Sequence, residues 1–175
     1  MNSFKIPYFL FKYSEHDKVK DKLRQAILNA DGQSVKTERD TITKTDWWHD
    51  GSWNEKDYIK ILVENDFLKN IDREFTKLSL ETWKLVGIWY QVYSKNDLHN
   101  WHKHGECQWS FVYYLHLPKN SKGTIVQDML TQETIDLEQK EGDIFIFPSM
   151  MKHCSPINQD SSEKIVIAGN LDYHC

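Results

Sequence analysis

Apolar residues in the first half of the chain recur at helical spacing, and from Trp83 onward the period shortens to that of strands. Val19, Leu23, Ile27 and Ala30 form one stripe, which ends at Asp31-Gly32. Tyr58, Ile59, Leu62, Val63, Phe67, Leu68, Ile71 and Phe75 form a second, running to about Lys77. Residues three and four apart share a helix face, so each stripe predicts an amphipathic helix lying on a core. Ser14 with Asp17, and Ser52 with Glu55, have the spacing of capping boxes and mark the two helix starts. Phe4 to Tyr13 is aromatic and partly alternating, which predicts an extended segment along a core edge. Residues 32–50 are polar and predict a loop or a pair of short strands, Thr41-Ile42-Thr43 being the most strand-like piece. The stretch from Asp46 to Trp53 is dense in aromatics and reads as packing, with a lid as the alternative.

The remainder reads as short strands divided by turn residues: Trp83 to Tyr93, Trp109 to Leu117, Thr124 to Met129, Thr134 to Leu137, Asp143 to Phe147 and Lys164 to Ala168. Such spacing predicts a β-sandwich or barrel. The expected architecture is mainly β, a jelly roll over 83–172 with two helices from 1–82 supporting it, in one domain spanning 1–175.

Composition narrows the class. A chain of 175 residues is long enough for one substantial core. Its net charge of −4, with no basic run, disfavours nucleic acid as a partner. No apolar run approaches the ~20 residues that cross a bilayer, and the first seven residues lack the apolar stretch of a signal peptide. Cys107, Cys154 and Cys175 are odd in number and carry no CxxC spacing, so reduced thiols in a cytoplasmic protein are expected. No membrane partner is expected, and the pattern sets no oligomeric state. Arginine occurs only at 24, 39 and 73. A cation needed in the C-terminal half must therefore be lysine or histidine.

Candidate chemistry concentrates in Leu98-His99-Asn100-Trp101-His102-Lys103-His104-Gly105-Glu106. In an extended chain, positions i and i+2 point the same way, so His102 with His104, or His104 with Glu106, can face one ion. His153 follows the Asp143–Phe147 strand and the turn at Pro148, at a strand mouth, and is the best-placed third ligand. Two histidines with a carboxylate on one face is the donor set of non-haem iron oxygenases. His99 reads as pocket lining. His16, His49, His116 and His174 read as surface residues.

These residues also resemble a known family, the 2-oxoglutarate- and Fe(II)-dependent oxygenases, and within it small bacterial and phage oxygenases related to prolyl hydroxylases. The resemblance rests on His102-Lys103-His104, Ser110-Phe111-Val112-Tyr113-Tyr114-Leu115, Gly142-Asp143 through Phe147-Pro148-Ser149 to His153, and Lys164 through Asn170. It spans roughly residues 83–172. It implies a double-stranded β-helix, cupin-like, with Fe(II) at its open end held by His102, His104 and His153. The wider superfamily has a carboxylate where His104 stands, so Glu106 is the rival second ligand. The resemblance further implies that Lys164 and Tyr114 receive the distal carboxylate of 2-oxoglutarate. Tyr93 and Ser110 are the remaining cofactor-pocket candidates.

The implied activity is that of a dioxygenase, most simply a hydroxylase, acting on a small-molecule or peptidyl substrate with dioxygen and releasing succinate. Trp101, Trp109 and the Trp47-Trp48 pair are candidates for the substrate side. A cupin-type three-histidine dioxygenase without 2-oxoglutarate would use the same ligands and have no need of Lys164. A non-catalytic jelly-roll binding module is the third reading.

Overall fold

The computed structural model describes residues 7–48, 55–77 and 82–173. In chain order the elements are β1 (Phe9–Lys12), α1 (His16–Asn29), β2 (Gln33–Lys36), β3 (Thr41–Thr45), α2 (Asp57–Glu64), α3 (Phe67–Thr76), β4 (Trp83–Tyr93), β5 (His99–His102), β6 (Trp109–His116), β7 (Ile125–Gln127), β8 (Thr134–Asp136), β9 (Asp143–Pro148), β10 (His153–Ser155) and β11 (Lys164–Tyr173). One sheet has the order β1-β9-β6-β11-β4-β3-β2 and the other β5-β10-β7-β8. All of the pairings are antiparallel. This is the expected jelly-roll architecture, mainly β with helices contributed by the N-terminal part. No helix of the described residues is long and apolar enough to cross a membrane.

The central strands of the large sheet, β6, β9, β11 and the second half of β4, are buried on both faces, which is why they read as nearly continuous apolar runs. Strand alternation then sorts the side chains into two cores. Tyr90, Val92, Phe111, Tyr113, Leu115, Ile144, Ile146, Ile165 and Ile167 pack against Val19, Leu23 and Ile27 of α1 and the apolar faces of α2 and α3. Their neighbours one position away, Trp89, Tyr93, Val112, Tyr114, Phe145, Phe147, Val166 and Ala168, form the core between the two sheets. Each such fully buried aliphatic or aromatic side chain contributes about 1.5–3 kcal/mol. A register slip of one residue would exchange the two sets, so burial on both faces pins the register that aims side chains into the barrel.

Several expectations need correction. The second predicted helix is two, α2 and α3, divided at Asn65-Asp66, where Asp66 has φ 60°. Neither glycine nor proline marks the break, but Asp tolerates the left-handed conformation better than most side chains. The carbonyl of Asn65 there accepts a 2.6 Å hydrogen bond from the Tyr13 hydroxyl. The Ser14 capping box does not form: Glu15 takes the N-cap position of α1, and the Ser14 hydroxyl donates to Asn70 Oδ1 of α3 at 3.2 Å. A tertiary partner has displaced the local one. Lys56, with no side-chain cap, precedes α2; Ser52 lies outside the described residues.

His16 is no surface residue. It is 2% exposed, with Nδ1 at 2.7 Å from the Tyr113 hydroxyl and Nε2 facing Glu141 at 3.5 Å. It packs under Gly142, whose φ of 87° and whose closeness to Lys12 and His16 leave no room for a Cβ. His116 is half-buried, and its Nδ1 donates to the Glu163 carbonyl at 2.6 Å. His49, Trp53, His174 and Cys175 lie outside the described residues.

Candidate metal centre

Strands β5 and β10 bring the histidines together. They pair antiparallel with His153 directly opposite His102. β5 is itself fastened to the end of β3, where Leu98 and Thr41 exchange backbone hydrogen bonds and Asp40 Oδ1 accepts the Asn100 N–H at 2.8 Å. His104 lies two residues beyond His102, and its N–H donates to the Ser149 carbonyl at 2.9 Å. One ligand atom from each of His102, His104 and His153 falls within 4.8 Å of the others, close enough to surround a single ion.

Each ring is held by Nδ1. His102 Nδ1 lies 2.7 Å from the Asn100 carbonyl, and His153 Nδ1 lies 2.9 Å from the Met151 carbonyl. A carbonyl only accepts, so both Nδ1 atoms carry the proton and both Nε2 lone pairs are free. His104 Nδ1 faces Asn170 Oδ1 at 2.9 Å and Ser110 Oγ at 3.3 Å. Burial holds the pKa of His153 well below its ordinary value and lowers that of His102. Both rings are therefore kept in the neutral form that ligates.

The expected residues divide as follows. His102, His104, His153, Tyr114, Tyr93, Ser110 and Lys164 all line one cleft of about 500 Å³, together with Trp89, Gln91, His99, Phe147, Cys154 and Val166. Glu106 does not join them; it is exposed on the turn after β5. His99 stacks on His102 at 3.9 Å between centroids, and Gln91 Nε2 lies 3.4 Å from its Nδ1. Ser110 places its hydroxyl behind His104, in contact with Asn170 and Ser149. Trp109 sits in the helix-side core, away from the cleft. Trp47 and Trp48 are half-exposed and stack on each other, and Trp47 lies 6.5 Å from the His99 ring.

On the lining of the same cleft Lys164 is 1% exposed. Its ammonium donates to the Lys122 carbonyl (3.2 Å), the Pro156 carbonyl (3.2 Å) and Ser155 Oγ (2.7 Å), all neutral acceptors. Burial pulls its pKa down from 10.5 to about 8. A buried cation held only by dipoles is one that an anion would stabilise. Tyr114 Oη accepts the Thr124 N–H at 2.9 Å, which leaves its own hydrogen to donate, and burial keeps the phenol protonated. The Tyr93 hydroxyl is engaged elsewhere, donating to Gln91 Oε1 at 2.8 Å. Burial lifts the Cys154 thiol to about 11, so it stays protonated beside the histidines. Three converging imidazoles and, on the same cleft, an unneutralised ammonium with a phenol donor fit an iron ion and a dicarboxylate.

Asn170 enters the sequence reading only as the last residue of the Lys164–Asn170 segment that carries the resemblance, with no role attached, and Gln91 and Asn158 do not enter it. Asn158 is fully buried and donates to the carbonyls of Tyr93 and Ser162, which ties down the loop before Lys164. For Gln91 and Asn158 the only sequence signal is an amide near the end of, or just outside, an apolar strand.

Residues 87–170 match the model of a family described as "Putative 2OG-Fe(II) oxygenase". No curated protein matches the sequence. Among solved structures, a Pseudomonas putida prolyl-4-hydroxylase is similar with a TM-score of 0.66 at 14% identity, over 96% of this chain and 94% of that one. A 2OG-Fe(II) oxygenase family oxidoreductase from Burkholderia pseudomallei gives a TM-score of 0.74 at 11% identity, over 95% and 86%. The viral collagen prolyl hydroxylase of Paramecium Bursaria Chlorella virus-1, in its 2OG complex, gives 0.58 at 14%, over 94% of each. At such identities the structural likeness is one of fold, and it joins the family match over the strands that carry the histidines and Lys164. Over residues 87–170, just under half of its length, the chain matches a family of 2-oxoglutarate- and Fe(II)-dependent oxygenases, and its fold is that of their solved structures.

Proposed function

We propose that His102, His104 and His153 hold the iron, and that Lys164 and Tyr114 hold the distal carboxylate of 2-oxoglutarate, in a hydroxylase of a peptidyl or small-molecule substrate. The enzyme class is that of its superfamily, an oxidoreductase that uses Fe(II), 2-oxoglutarate and dioxygen. The observation that carries the residue assignment is the pairing of two features on one cleft. Three imidazoles converge with Nδ1 engaged, and a buried ammonium is met only by neutral acceptors.

When bound, Fe(II) and 2-oxoglutarate supply the reductive activation of dioxygen and the oxidation of a substrate C–H bond, 2-oxoglutarate leaving as succinate and carbon dioxide. The chain's own residues orient and enclose. The Nδ1 hydrogen bonds set which imidazole nitrogen is offered and prevent the rings from turning. Lys164 supplies the charge that offsets a buried carboxylate, and Tyr114 adds a directional hydrogen bond. Trp89, Phe147, Val166 and Ala168 wall the cleft with apolar surface that excludes water. The prolyl hydroxylases among the similar structures support a peptidyl substrate. The free thiols of Cys107 and Cys154 support a cytoplasmic setting, and the helices and jelly roll, which share a core, support one oxygenase unit over 1–175.

The buried Lys164 ammonium favours this reading over a three-histidine dioxygenase without co-substrate, which has no carboxylate to receive. The deciding experiment is anaerobic titration of the metal-free protein with Fe(II) and then 2-oxoglutarate, followed by succinate release against a substrate panel. A weak visible charge-transfer band should appear only with both present, and should be lost in His102→Ala and His153→Ala. Retained stoichiometric iron in either variant removes that histidine from the ligand set. Absence of the band in wild-type protein would overturn the reading.

A further inference from the structure

Behind His104 lies a chain of side-chain hydrogen bonds, whereas His102 and His153 rest on backbone carbonyls. Cys107 Sγ donates to Ser149 Oγ at 3.1 Å, and Ser149 Oγ lies 2.9 Å from Ser110 Oγ. Ser110 Oγ donates to Asn170 Oδ1 at 3.0 Å, the same oxygen that faces His104 Nδ1 at 2.9 Å. Each hydroxyl has one hydrogen, and the directions follow from that. The thiol hydrogen goes to Ser149, the Ser149 hydrogen to Ser110 and the Ser110 hydrogen to Asn170. Asn170 Oδ1 is thereby fixed as an acceptor of two hydrogens, one from Ser110 and one from the His104 ring.

The strands make this arrangement stiff. Asn170 is the cross-strand partner of Ser110 in the β11–β6 pairing, and Ser110 is that of Phe147 in the β6–β9 pairing. The backbone of Ser149 accepts from His104 and donates to Gln108, so the same short segment holds His104 by both its main chain and its side chain. At Asn170 the β11–β4 register shifts, an irregularity in a long strand at the residue that meets the ring. Irregularities of this kind re-aim a side chain next to an active site.

We infer that Asn170 is the positioning residue that makes His104 a metal ligand, by accepting its Nδ1 proton and presenting Nε2 to the ion; this rests on the reading of His102, His104 and His153 as the ligand set. In this orientation the amide presents its oxygen, which suits an imidazole N–H; an acid would need its Nδ2 side. A carboxylate ligand at 104 would need a donor behind it, whereas the Ser110 hydrogen bond turns the Asn170 oxygen, an acceptor, toward the site. The outer partner is thus matched to histidine as second ligand, which selects His104 over Glu106 from a direction independent of ligand distances. Asn170 is neutral, so it orients the ring without adding charge to the site.

The test is Co(II) titration of the metal-free protein, followed by the metal's visible absorption, with no turnover required. Asn170→Leu should raise the Co(II) dissociation constant about 10–100-fold. Asn170→Asp, which keeps an acceptor in place, should bind at or below the wild-type constant. In a His104→Ala background Asn170→Leu should have no further effect, because the two side chains act as one unit. The thermal midpoint of each metal-free variant reports its fold, and Asn170→Ala substitutes for the leucine variant if that fails to fold. Wild-type affinity in the leucine or alanine variant overturns the proposal, as does an equal loss in the aspartate variant. Failure of the underlying reading looks different, since wild-type protein would then bind no Co(II) at this site.

Discussion

Lys164 stands directly opposite Tyr93 in the β11–β4 pairing, and its ammonium lies 4.8 Å from the centroid of the Tyr93 ring. Cross-strand pairing puts the two side chains on the same face of the sheet, so the ring's electron-rich face meets the charge. Tyr93 therefore serves the cation through its ring, while its hydroxyl serves Gln91. The pair is aimed at the same cleft as the proposed iron ligands.

Replacing Lys164 by alanine should weaken 2-oxoglutarate binding by at least about 30-fold, since a buried carboxylate would lose its charge partner. Fe(II) affinity should not change. Titration of the iron-loaded protein with 2-oxoglutarate checks both. Unaltered 2-oxoglutarate affinity would take Lys164 out of the site.

The low pKa of Lys164 makes that binding pH-dependent. In the free protein the ammonium, depressed by burial, titrates at about 8. The bound dicarboxylate requires the charged form, so the dissociation constant should be flat below pH 8 and rise about tenfold per pH unit above it. The stability of the ligand-free protein should move the other way. Between about 8 and the unfolded value near 10.4 the unfolded chain binds more protons, so raising pH through this window stabilises the fold. Parallel ligand titrations and urea melts over that range test the two signs.

Tyr114 and Tyr93 should separate on loss of a single oxygen. Tyr114→Phe removes a donor to a charged ligand and should weaken 2-oxoglutarate about tenfold or more. Tyr93→Phe keeps the ring beneath Lys164 and should leave that affinity within about threefold. Equal losses in the two variants would contradict the separate assignments.

Glu106 and His104 are separable by metal stoichiometry. Glu106 is exposed beyond the cleft, so Glu106→Ala should bind one equivalent of Fe(II) as wild type does. His104→Ala should lose tight binding. The reverse pattern would install the carboxylate as second ligand.

Stability should depend on Asp46, which does not line the cleft. It is buried and accepts from Lys56 Nζ at 2.7 Å, Tyr58 Oη at 2.8 Å and the Tyr90 N–H at 2.9 Å, joining α2 to β4. Asp46→Ala leaves a cation and two donors unmatched and should cost roughly 3–5 kcal/mol. A lowered urea midpoint at unchanged slope would report it; a midpoint like wild type would refute it.

The alternation of apolar positions was enough to place most strands. Trp83–Tyr93 is β4, and the predicted Trp109–Leu117, Thr134–Leu137 and Asp143–Phe147 segments end within a residue of β6, β8 and β9. Alternation is local, and burial on both faces enforces it. It also put His102 and His104 on one side of an extended segment, and Lys164 in phase with Val166 and Ala168. Other features depend on partners distant in sequence. The helix break at Asp66 and the loss of the Ser14 cap came from contacts with Tyr13 and Asn70. That His153 faces His102, that Glu106 turns away, and that Asn170 stands behind His104 followed from strand pairing and hydrogen bonding across 51 to 66 positions. Residue spacing says which side chains share a face; only the closed barrel says which faces meet.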